Sequence, residues 1–298
     1  MKRKIFQLFV VAVALVILAG AFKGYIWWNE VYDPVNHDYS PPDNITFPEE
    51  KKDRPTVILV LGLDQRGQER GRADSIMVFS MHWEDQSLSA ISIPRDSRVN
   101  IPGRGYDKIN HAYAYGGVDL AKRTVEELLG TQVDNYITTN FTGFQKMVDL
   151  LGGVEVDVEK RMVYRASDVN INLSPGVQRL DGNKALQYVR FRADAAGDLG
   201  RVVRQQKFVK ALINEAFSYK NIVKLPFFLD EAVKHFKTDM ELSKMRKFMF
   251  RLQAAKPEEM KTATFPGTPK YIDGVSYVVL DENGVKQIVD EYIHWKNS

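Results

Sequence analysis

Apolar runs separated by polar turns predict an α/β domain in the middle of this chain. The β-branched run TVILVLGLD at 56–64 is typical of a strand that is buried on both faces. Runs at 74–83 and 87–94 predict the next two strands, and the turn at Glu84 and Asp85 between them indicates a hairpin. Helical and strand patterns then alternate at 117–130, 135–140, 141–153 and 154–158. This alternation favours an α/β fold in which a central mixed β-sheet is flanked by helices.

The first residues carry the pattern of a membrane anchor. A basic tail at 1–4 precedes an apolar stretch at 5–28 that ends in Trp27 and Trp28. About 20 apolar residues span a bilayer, positive residues stay in the cytoplasm, and aromatic residues suit the far interface. We therefore expect one N-terminal transmembrane helix at 5–28. The alternative is a cleaved signal peptide, because the small residues at 19–21 resemble a cleavage site.

The anchor interpretation sets the location of the remaining chain. Residues 29–54 are polar and proline-bearing without helical or strand periodicity, which predicts an extracellular linker. The folded domain then occupies 55–298, outside the cell membrane.

Composition narrows the functional classes. The 298-residue chain has 41 basic and 38 acidic residues and a net charge of +3, which gives no electrostatic signature of nucleic-acid binding. It has no cysteine, so disulfides, zinc thiolates and thiol nucleophiles are excluded. Any anion site must therefore be a local cluster.

Such a cluster is present in the stretch QYVRFRADAAGDLGRVVRQQ, residues 187–206. The run ALQYVRFR at 185–192, which overlaps its first part, alternates and predicts an extended segment with Arg190 and Arg192 on one side. Planar guanidinium groups bind phosphate oxygens bidentately. The alternative is that these arginines pair with surface acids of the same domain.

The second part of this stretch predicts a helix from residue 199 to about 217. Arg201 and Gln205 are four residues apart and would be neighbours on its first turns, beside free backbone N–H donors. Arg204 is about 100° round the helix from Gln205 and is the arginine we expect to face away. The stretch as a whole therefore suits a pyrophosphate.

Two aspartates are predicted at the same edge of the sheet. Asp64 ends the first buried strand and Asp74 begins the second. Paired carboxylates can hold Mg²⁺, with Mn²⁺ as an alternative, together with phosphate oxygens. Otherwise, Asp64 is a turn residue, and Asp74 is a cap or an ion-pair partner of Arg72.

More polar residues follow the third strand. Arg95 comes directly after a proline stop, and Lys108 and His111 lie in the next segment. His111 is either a general base or a structural histidine ahead of a helix.

Seven ordered segments together resemble the LytR-CpsA-Psr family of bacterial envelope proteins. They are LVLGLDQR, RADSIMV, SIPRDSRVNIPG, DKINHAYAYGG, LGGVEVDV, LDGNKALQYVRFR and DLGRVVRQQ. The C-terminal stretch FPGTPKYIDGVSYVVLDE is similar to the family's last strand segment. The resemblance supports an uncleaved anchor and an external α/β catalytic domain.

The resemblance also implies roles for single residues. The metal-binding and catalytic aspartates of the family correspond to Asp64 and Asp74. Its pyrophosphate-binding arginines correspond to Arg95, which is also catalytic, and to Arg190 and Arg192. Further phosphate contacts or polar positions at the helix start correspond to Lys108, Asp198, Arg201 and Gln205.

The implied activity is the transfer of an anionic or secondary cell-wall glycopolymer from a polyprenyl pyrophosphate carrier to peptidoglycan, with release of polyprenyl phosphate. A regulatory protein that only binds the lipid, or a pyrophosphatase that uses water as the acceptor, are the alternatives. The lipid tail would lie along the apolar faces of 141–151 and 225–233, unless these faces are ordinary core. Membrane, glycopolymer and peptidoglycan are thus the expected partners, and nucleic acid is not.

Overall fold

The computed structural model describes residues 54–64, 71–82, 87–166, 169–193, 197–216, 236–241, 244 and 259–295. None of the helices within these ranges has the length and apolar character needed to cross a bilayer. The predicted tail and anchor, and the predicted linker up to residue 53, lie outside the described residues.

A six-stranded mixed sheet forms the centre of the domain. In spatial order its strands are β11 (Phe236–Thr238), β6 (Asn135–Asn140), β1 (Thr56–Asp64), β2 (Arg72–Met81), β3 (Leu88–Ile93) and β12 (Lys261–Thr264). Strands β1, β2 and β3 are antiparallel in sequence order, whereas β6 is parallel to β1 and β12 is parallel to β3. The predicted mixed sheet and the hairpin of its second and third strands are confirmed.

Helices cover both faces of this sheet because its strands alternate between two apolar layers. On one face, Leu59 and Leu61 pack in a core with Val125 of α1 (Ile109–Leu129) and Val289 of α5 (Glu282–Tyr292). On the other face, the central strands meet α4 (Gly197–Ala216). That second layer contains Val60, Met77, Phe79, Met81, Leu88, Ala90, Val209 and Ile213.

Helix α1 begins eight residues before the predicted start at residue 117. It bends at Gly116 and Gly117, whose backbone angles are not helical. Gly117 has φ 67°, in the region that favours glycine. The prediction therefore identified the part of the helix after the bend and missed the part before it.

A second apolar core lies beside the sheet. It is built from α2 (Phe141–Leu150), the pair β7 (Val154–Val158) and β10 (Gly176–Leu180), the hairpin β8 (Met162–Ala166) and β9 (Val169–Leu173), and α3 (Gly182–Arg190). Phe208 of α4 is buried in this second core, whereas Val209 and Ile213 of α4 pack on the sheet. Helix α4 therefore connects the sheet to the second core.

The predicted extended segment at 185–192 is wrong, because residues 185–190 belong to α3. The Asp181 side chain accepts a hydrogen bond from the Lys184 N–H at 2.8 Å and caps the helix. Buried Ala185 and Tyr188 then follow at helical spacing. A Cβ on Gly182 would lie 2.3 Å from the backbone oxygen of Gln145 in α2, so glycine permits this close approach. The cap at Asp181 and the close contact at Gly182 stabilise a helix here, although the sequence alternates as in a strand.

Two small hairpins complete the fold next to the end of β3. The first joins β4 (Arg98–Ile101) and β5 (Gly105–Lys108), and the second joins β13 (Gly267–Ile272) and β14 (Val275–Leu280). Val278 of β14 pairs with Ser97, and its backbone N–H donates to the backbone oxygen of Asp96 at 2.8 Å. The C-terminal hairpin therefore supports the segment that follows β3.

Candidate active site

Strands end or begin together at one edge of the central sheet. Because β1 and β6 are parallel with Leu63 opposite Asn140, both strands finish at this edge. β2 is antiparallel to β1 and begins there, and β3 ends there, two residues before Arg95. The sheet edge thus collects Asp64, Asp74 and Arg95, at the kind of position where α/β folds bind ligands.

A β-bulge determines the position of Asp74. Gly62 is opposite Ser75 and Leu63 is opposite Ala73, so Asp74 is an extra residue without a partner on β1. Bulges of this kind redirect a side chain and increase the local twist. A Cβ on Gly62 would lie 3.0 Å from that of Ser75, so the strands approach closely beside the bulge.

The Asp74 carboxylate is held by two side chains from different elements. Arg95 Nη1 donates to Asp74 Oδ2 at 3.0 Å, and Asn110 Nδ2 donates to Asp74 Oδ1 at 3.3 Å. The backbone N–H of Asn110 donates to the backbone oxygen of Arg95 at 3.2 Å. The backbone N–H of Ile109 donates to the backbone oxygen of Ser97 at 2.9 Å. These bonds fix the first turn of α1 against the segment that carries Arg95.

A second acid lies between the basic groups of this edge. Asp96 Oδ1 is 2.8 Å from Lys108 Nζ, and its Oδ2 is 3.6 Å from Arg95 Nε. Lys108 Nζ also lies 5.9 Å from the ring centroid of Tyr277. Arg95 and Lys108 therefore lie together at this sheet edge, on either side of Asp96. The prediction did not include Asp96, and its position directly after Arg95 was the available signal.

Arg190 reaches the same edge from the second core. Its Cζ lies 4.9 Å from the ring centroid of Phe141, the residue that follows Asn140 at the end of β6. Gln205 Nε2 donates to the backbone oxygen of Val189 at 3.4 Å and joins α4 to the end of α3. Helix packing therefore holds Gln205 against the end of α3 that carries Arg190, and the strand alternation predicted for this segment plays no part.

The remaining residues of the predicted cluster are placed as follows. Arg192 is exposed and lies two residues beyond the end of α3. Arg201 is half-buried on α4, one turn before Gln205. Asp198 belongs to the first turn of α4, and its side chain lies outside the described part of the chain.

Arg204 is a structural residue of the second core. Its side chain is only 4% exposed, and it donates to Glu159 Oε1 at 3.1 Å and to the Phe191 oxygen at 2.8 Å. Partial burial would raise the pKa of Glu159, but hydrogen bonds from its own backbone N–H, Arg204 and Tyr188 keep that pKa below its usual value. The expectation that Arg204 faces away from the cluster agrees with this position.

Gln206 fixes α4 to the sheet close to the site. Its Nε2 lies 3.1 Å from Ser92 Oγ, 2.6 Å from the Ala263 oxygen and 3.1 Å from Thr264 Oγ1. These acceptors are on the adjacent strands β3 and β12. The adjacent residues Gln205 and Gln206 therefore connect α4 to different parts of the fold. Gln205 bonds to α3, and Gln206 bonds to the sheet.

The predicted tail-binding face of α2 takes part in core packing. The ring centroid of Phe144 lies 5.3 Å from that of Phe208, and Val148 is fully buried. These contacts agree with the ordinary-core alternative for α2. The second predicted lining, residues 225–233, lies outside the described residues.

Asp64 and Asp74 have the chemistry expected of ligands to a hard cation. They lie on adjacent strands at one edge, with Asp64 opposite Arg72 and Asp74 two residues further along β2. Within the described ranges there is no group of three or more histidine, aspartate or glutamate side chains that could hold a metal ion. Mg²⁺ typically takes one or two carboxylates and completes its shell with phosphate oxygens and water. The pair therefore fits an ion that is shared with a phosphate-bearing substrate.

Comparison with known proteins identifies the class to which this fold and site belong. The model of the LytR_cpsA_psr family matches residues 29–293. The chain therefore belongs to the LytR-CpsA-Psr family, and the predicted resemblance is confirmed.

Individual members of the family are similar over most of their length. The polyisoprenyl-teichoic acid–peptidoglycan teichoic acid transferase TagU of Oceanobacillus iheyensis is 32% identical over 297 residues, which cover 95% of this chain and 91% of that protein. The crystal structure of B. subtilis TagV has a TM-score of 0.71 and 28% identity, covering 83% of this chain and 100% of that chain. YwtF (TagT) with bound octaprenyl pyrophosphate lipid has a TM-score of 0.65 and 28% identity, with coverage of 87% and 99%.

The arginine contacts predict that two substitutions of the same kind act differently. Arg204→Lys should lower the free energy of unfolding by about 1 to 3 kcal/mol, because lysine cannot reach both buried acceptors with a planar fork. Arg190→Lys should keep the melting temperature and weaken the binding of inorganic pyrophosphate about tenfold, or about 1.4 kcal/mol.

Thermal unfolding followed by circular dichroism and pyrophosphate titration calorimetry measure the two effects, with Arg192→Lys expected to behave like Arg190→Lys. Equal behaviour of the Arg190 and Arg204 variants in both measurements would contradict the assignment.

Proposed function

We propose that this protein is a phosphotransferase that moves a teichoic-acid-type glycopolymer from a polyprenyl pyrophosphate carrier to peptidoglycan. The observation that carries the proposal is the meeting of Arg95, the Asp64–Asp74 pair and Arg190 at one sheet edge. A transferase activity agrees with the name of the TagU relative, and a pyrophosphate lipid agrees with the ligand of YwtF (TagT). The product is a phosphodiester between glycopolymer and peptidoglycan, and polyprenyl phosphate is released.

Arg95 and Arg190 bind the oxygens of the pyrophosphate. Guanidinium groups suit this role because they remain charged and offer paired donors that match phosphate geometry. Phosphoryl transfer depends mainly on positioning and on neutralising negative charge. Lys108 and Gln205 add donors on either side, and Asp96 keeps Arg95 and Lys108 in position.

Asp64 and Asp74 would hold Mg²⁺, or Mn²⁺ in its place. Such a divalent cation would supply positive charge that offsets the negative charge of the phosphate oxygens. Arg95 and Asn110 orient the Asp74 carboxylate from the side of the segment after β3 and the side of α1.

The reaction is a substitution at the phosphorus next to the glycan. A sugar hydroxyl of peptidoglycan forms the new bond to phosphorus, and the bond to the bridging oxygen of polyprenyl phosphate breaks. The leaving group keeps the electron pair, and Arg95 and Arg190 stabilise its charge.

Reconstitution separates this activity from its alternatives. Purified full-length protein is mixed with lipid-linked glycopolymer, Mg²⁺ and peptidoglycan, and the linked glycan and released polyprenyl phosphate are measured. Formation of linked glycan that requires peptidoglycan is the expected result. Free glycan phosphate without acceptor would indicate a pyrophosphatase, and lipid binding without any product would indicate a regulatory protein.

The N-terminal residues provide the membrane location that a lipid substrate requires. Residues 1–4 lie in the cytoplasm, 5–28 form a single-pass signal anchor, 29–54 form an extracellular linker, and 55–298 form the external catalytic domain. This topology is supported by the basic tail, by the length of the apolar stretch and by the aromatic residues at its far end.

Removing either aspartate of the pair should reduce transfer. Asp64→Ala and Asp74→Ala should each lower the rate at least about tenfold, or 1.4 kcal/mol in the barrier, because the cation loses a carboxylate ligand. The rate is measured against Mg²⁺ concentration, and both variants should need more Mg²⁺ for half-maximal activity. Asp157→Ala, an exposed carboxylate on β7, is the control. Wild-type rates for both variants in the presence of chelator would exclude a cation site here.

Protease treatment of intact protoplasts tests the proposed topology. The domain beyond Trp28 should be digested while a cytoplasmic marker protein stays intact, because the positive tail remains inside. Immunoblots against the C-terminal hairpin follow the domain. If the domain survives in intact protoplasts and is cut only after lysis, the topology is wrong.

A further inference from the structure

Three polar side chains form a connected group at the start of α1. Asp107 Oδ2 lies 2.9 Å from His111 Nδ1 and accepts a hydrogen bond from Tyr115 OH at 2.6 Å. Asp107 Oδ1 accepts from the backbone N–H of Lys108 at 2.7 Å. Asp107, His111 and Tyr115 are spaced by four residues and are called the rim cluster below. His111 lies inside α1, whereas the sequence had indicated a position ahead of the helix.

The rim cluster lies directly beside the candidate active site. His111 follows Asn110, whose side chain contacts Asp74 and whose N–H is bonded to the Arg95 backbone. The hydrogen bond to Asp107 and partial burial raise the pKa of Tyr115, and the charges of Arg104 and Arg72 oppose this rise. Arg72 is the residue opposite Asp64 on the sheet, so the cluster lies on the Asp64 side of the edge.

The hydrogen bonds prepare His111 to accept a proton. Its Nδ1 faces a carboxylate and donates to it, so the neutral ring has its lone pair on Nε2. Partial burial would raise the pKa of Asp107, but hydrogen bonds from Tyr115, His111 and the Lys108 N–H outweigh this effect and lower it. Asp107 is therefore a stable carboxylate that fixes the orientation of the ring.

A second histidine shows what a purely structural pair looks like in this protein. His294 also pairs with an aspartate four residues earlier, with Nδ1 3.3 Å from Asp290 Oδ1. Its Nε2 lies 3.4 Å from Thr131 Oγ1, so both ring nitrogens of His294 have partners. For His111, Nδ1 is the ring nitrogen with a hydrogen-bond partner in the described part of the chain.

The surface around the rim cluster suits an acceptor sugar. Tyr115 is 42% exposed, and Arg104 lies over its ring with Cζ 5.2 Å from the centroid. Tyrosine rings combine an apolar face with a polar edge and are common where an amphipathic partner binds.

We propose that His111 is the general base that accepts the proton of the peptidoglycan hydroxyl, and that Asp107 and Tyr115 are positioning residues. The inference rests on the proposed transfer reaction. As the hydroxyl oxygen bonds to phosphorus and polyprenyl phosphate leaves with its electron pair, the hydroxyl proton moves to His111 Nε2. The imidazolium then releases this proton to solvent.

The charged and titratable groups in and around the rim cluster come from four parts of the fold. They are Asp107 on β5, Tyr115 on α1, Arg104 in the turn between β4 and β5, and Arg72 on β2. The imidazole is the side chain whose ordinary protonation change falls between about pH 5 and 8. The transfer rate should therefore fall on the acid side of this range, where the base is protonated.

The decisive experiment compares pH–rate profiles of full-length wild-type protein, His111→Gln and His294→Gln in the reconstituted reaction. General bases contribute about 10²- to 10⁴-fold, so His111→Gln should lower kcat by about 10² or more and remove the acid limb. Its KM for the lipid-linked glycopolymer and its melting temperature should stay at wild-type values. His294→Gln, the matched control, should keep the wild-type kcat and the acid limb.

Asp107→Asn provides an independent variant if His111→Gln does not fold. Its kcat should fall about tenfold or more with KM unchanged, because an amide can also donate to Nδ1 and no longer holds the lone pair of the neutral ring on Nε2. A wild-type kcat in Asp107→Asn, or a wild-type kcat and acid limb in His111→Gln, would overturn the assignment of His111. Absence of transfer by the wild-type protein would instead contradict the proposed function itself.

Discussion

The β-bulge at Asp74 is the constraint on which the arrangement of the site depends. Because of the extra residue, Ala73 rather than Asp74 lies opposite Leu63, and the Asp74 side chain is redirected at the bulge. There, Asp74 meets Arg95 from the end of β3 and Asn110 from the start of α1. One local irregularity thus links two strands and a helix through a single carboxylate.

The two cores of the domain supply different halves of the charged site. The sheet core positions the two aspartates and Arg95, and the second core positions Arg190 through α3. Helix α4 connects the halves, since Gln206 bonds to β3 and β12 while Arg204 is buried against Glu159. This connection fixes the relative position of the two cores, and an error in that position would separate the guanidinium groups of Arg95 and Arg190.

The sequence was sufficient for features that depend on local pattern. The three buried strands, the mixed sheet and the family membership were predicted, because buried strands have a strong apolar signal and the motifs are ordered along the chain. The segment at 185–190 was mispredicted as extended, because the N-cap at Asp181 and the contact between α2 and α3 at Gly182 stabilise a helix despite the strand-like alternation. The rim cluster depends on the hairpin β4–β5 joining directly to α1, which the sequence pattern did not indicate. The assignments of anchor, linker and magnesium ligands stay predictions.

A crystal structure with Mn²⁺ and a polyprenyl pyrophosphate tests the central claim most directly, because the anomalous signal of manganese locates the cation independently. The account predicts pyrophosphate oxygens at hydrogen-bond distance, about 2.7 to 3.2 Å, from the guanidinium groups of both Arg95 and Arg190. It also predicts the cation in contact with Asp64, Asp74 and a phosphate oxygen. A pyrophosphate bound away from this sheet edge, or a cation that contacts neither aspartate, would contradict it.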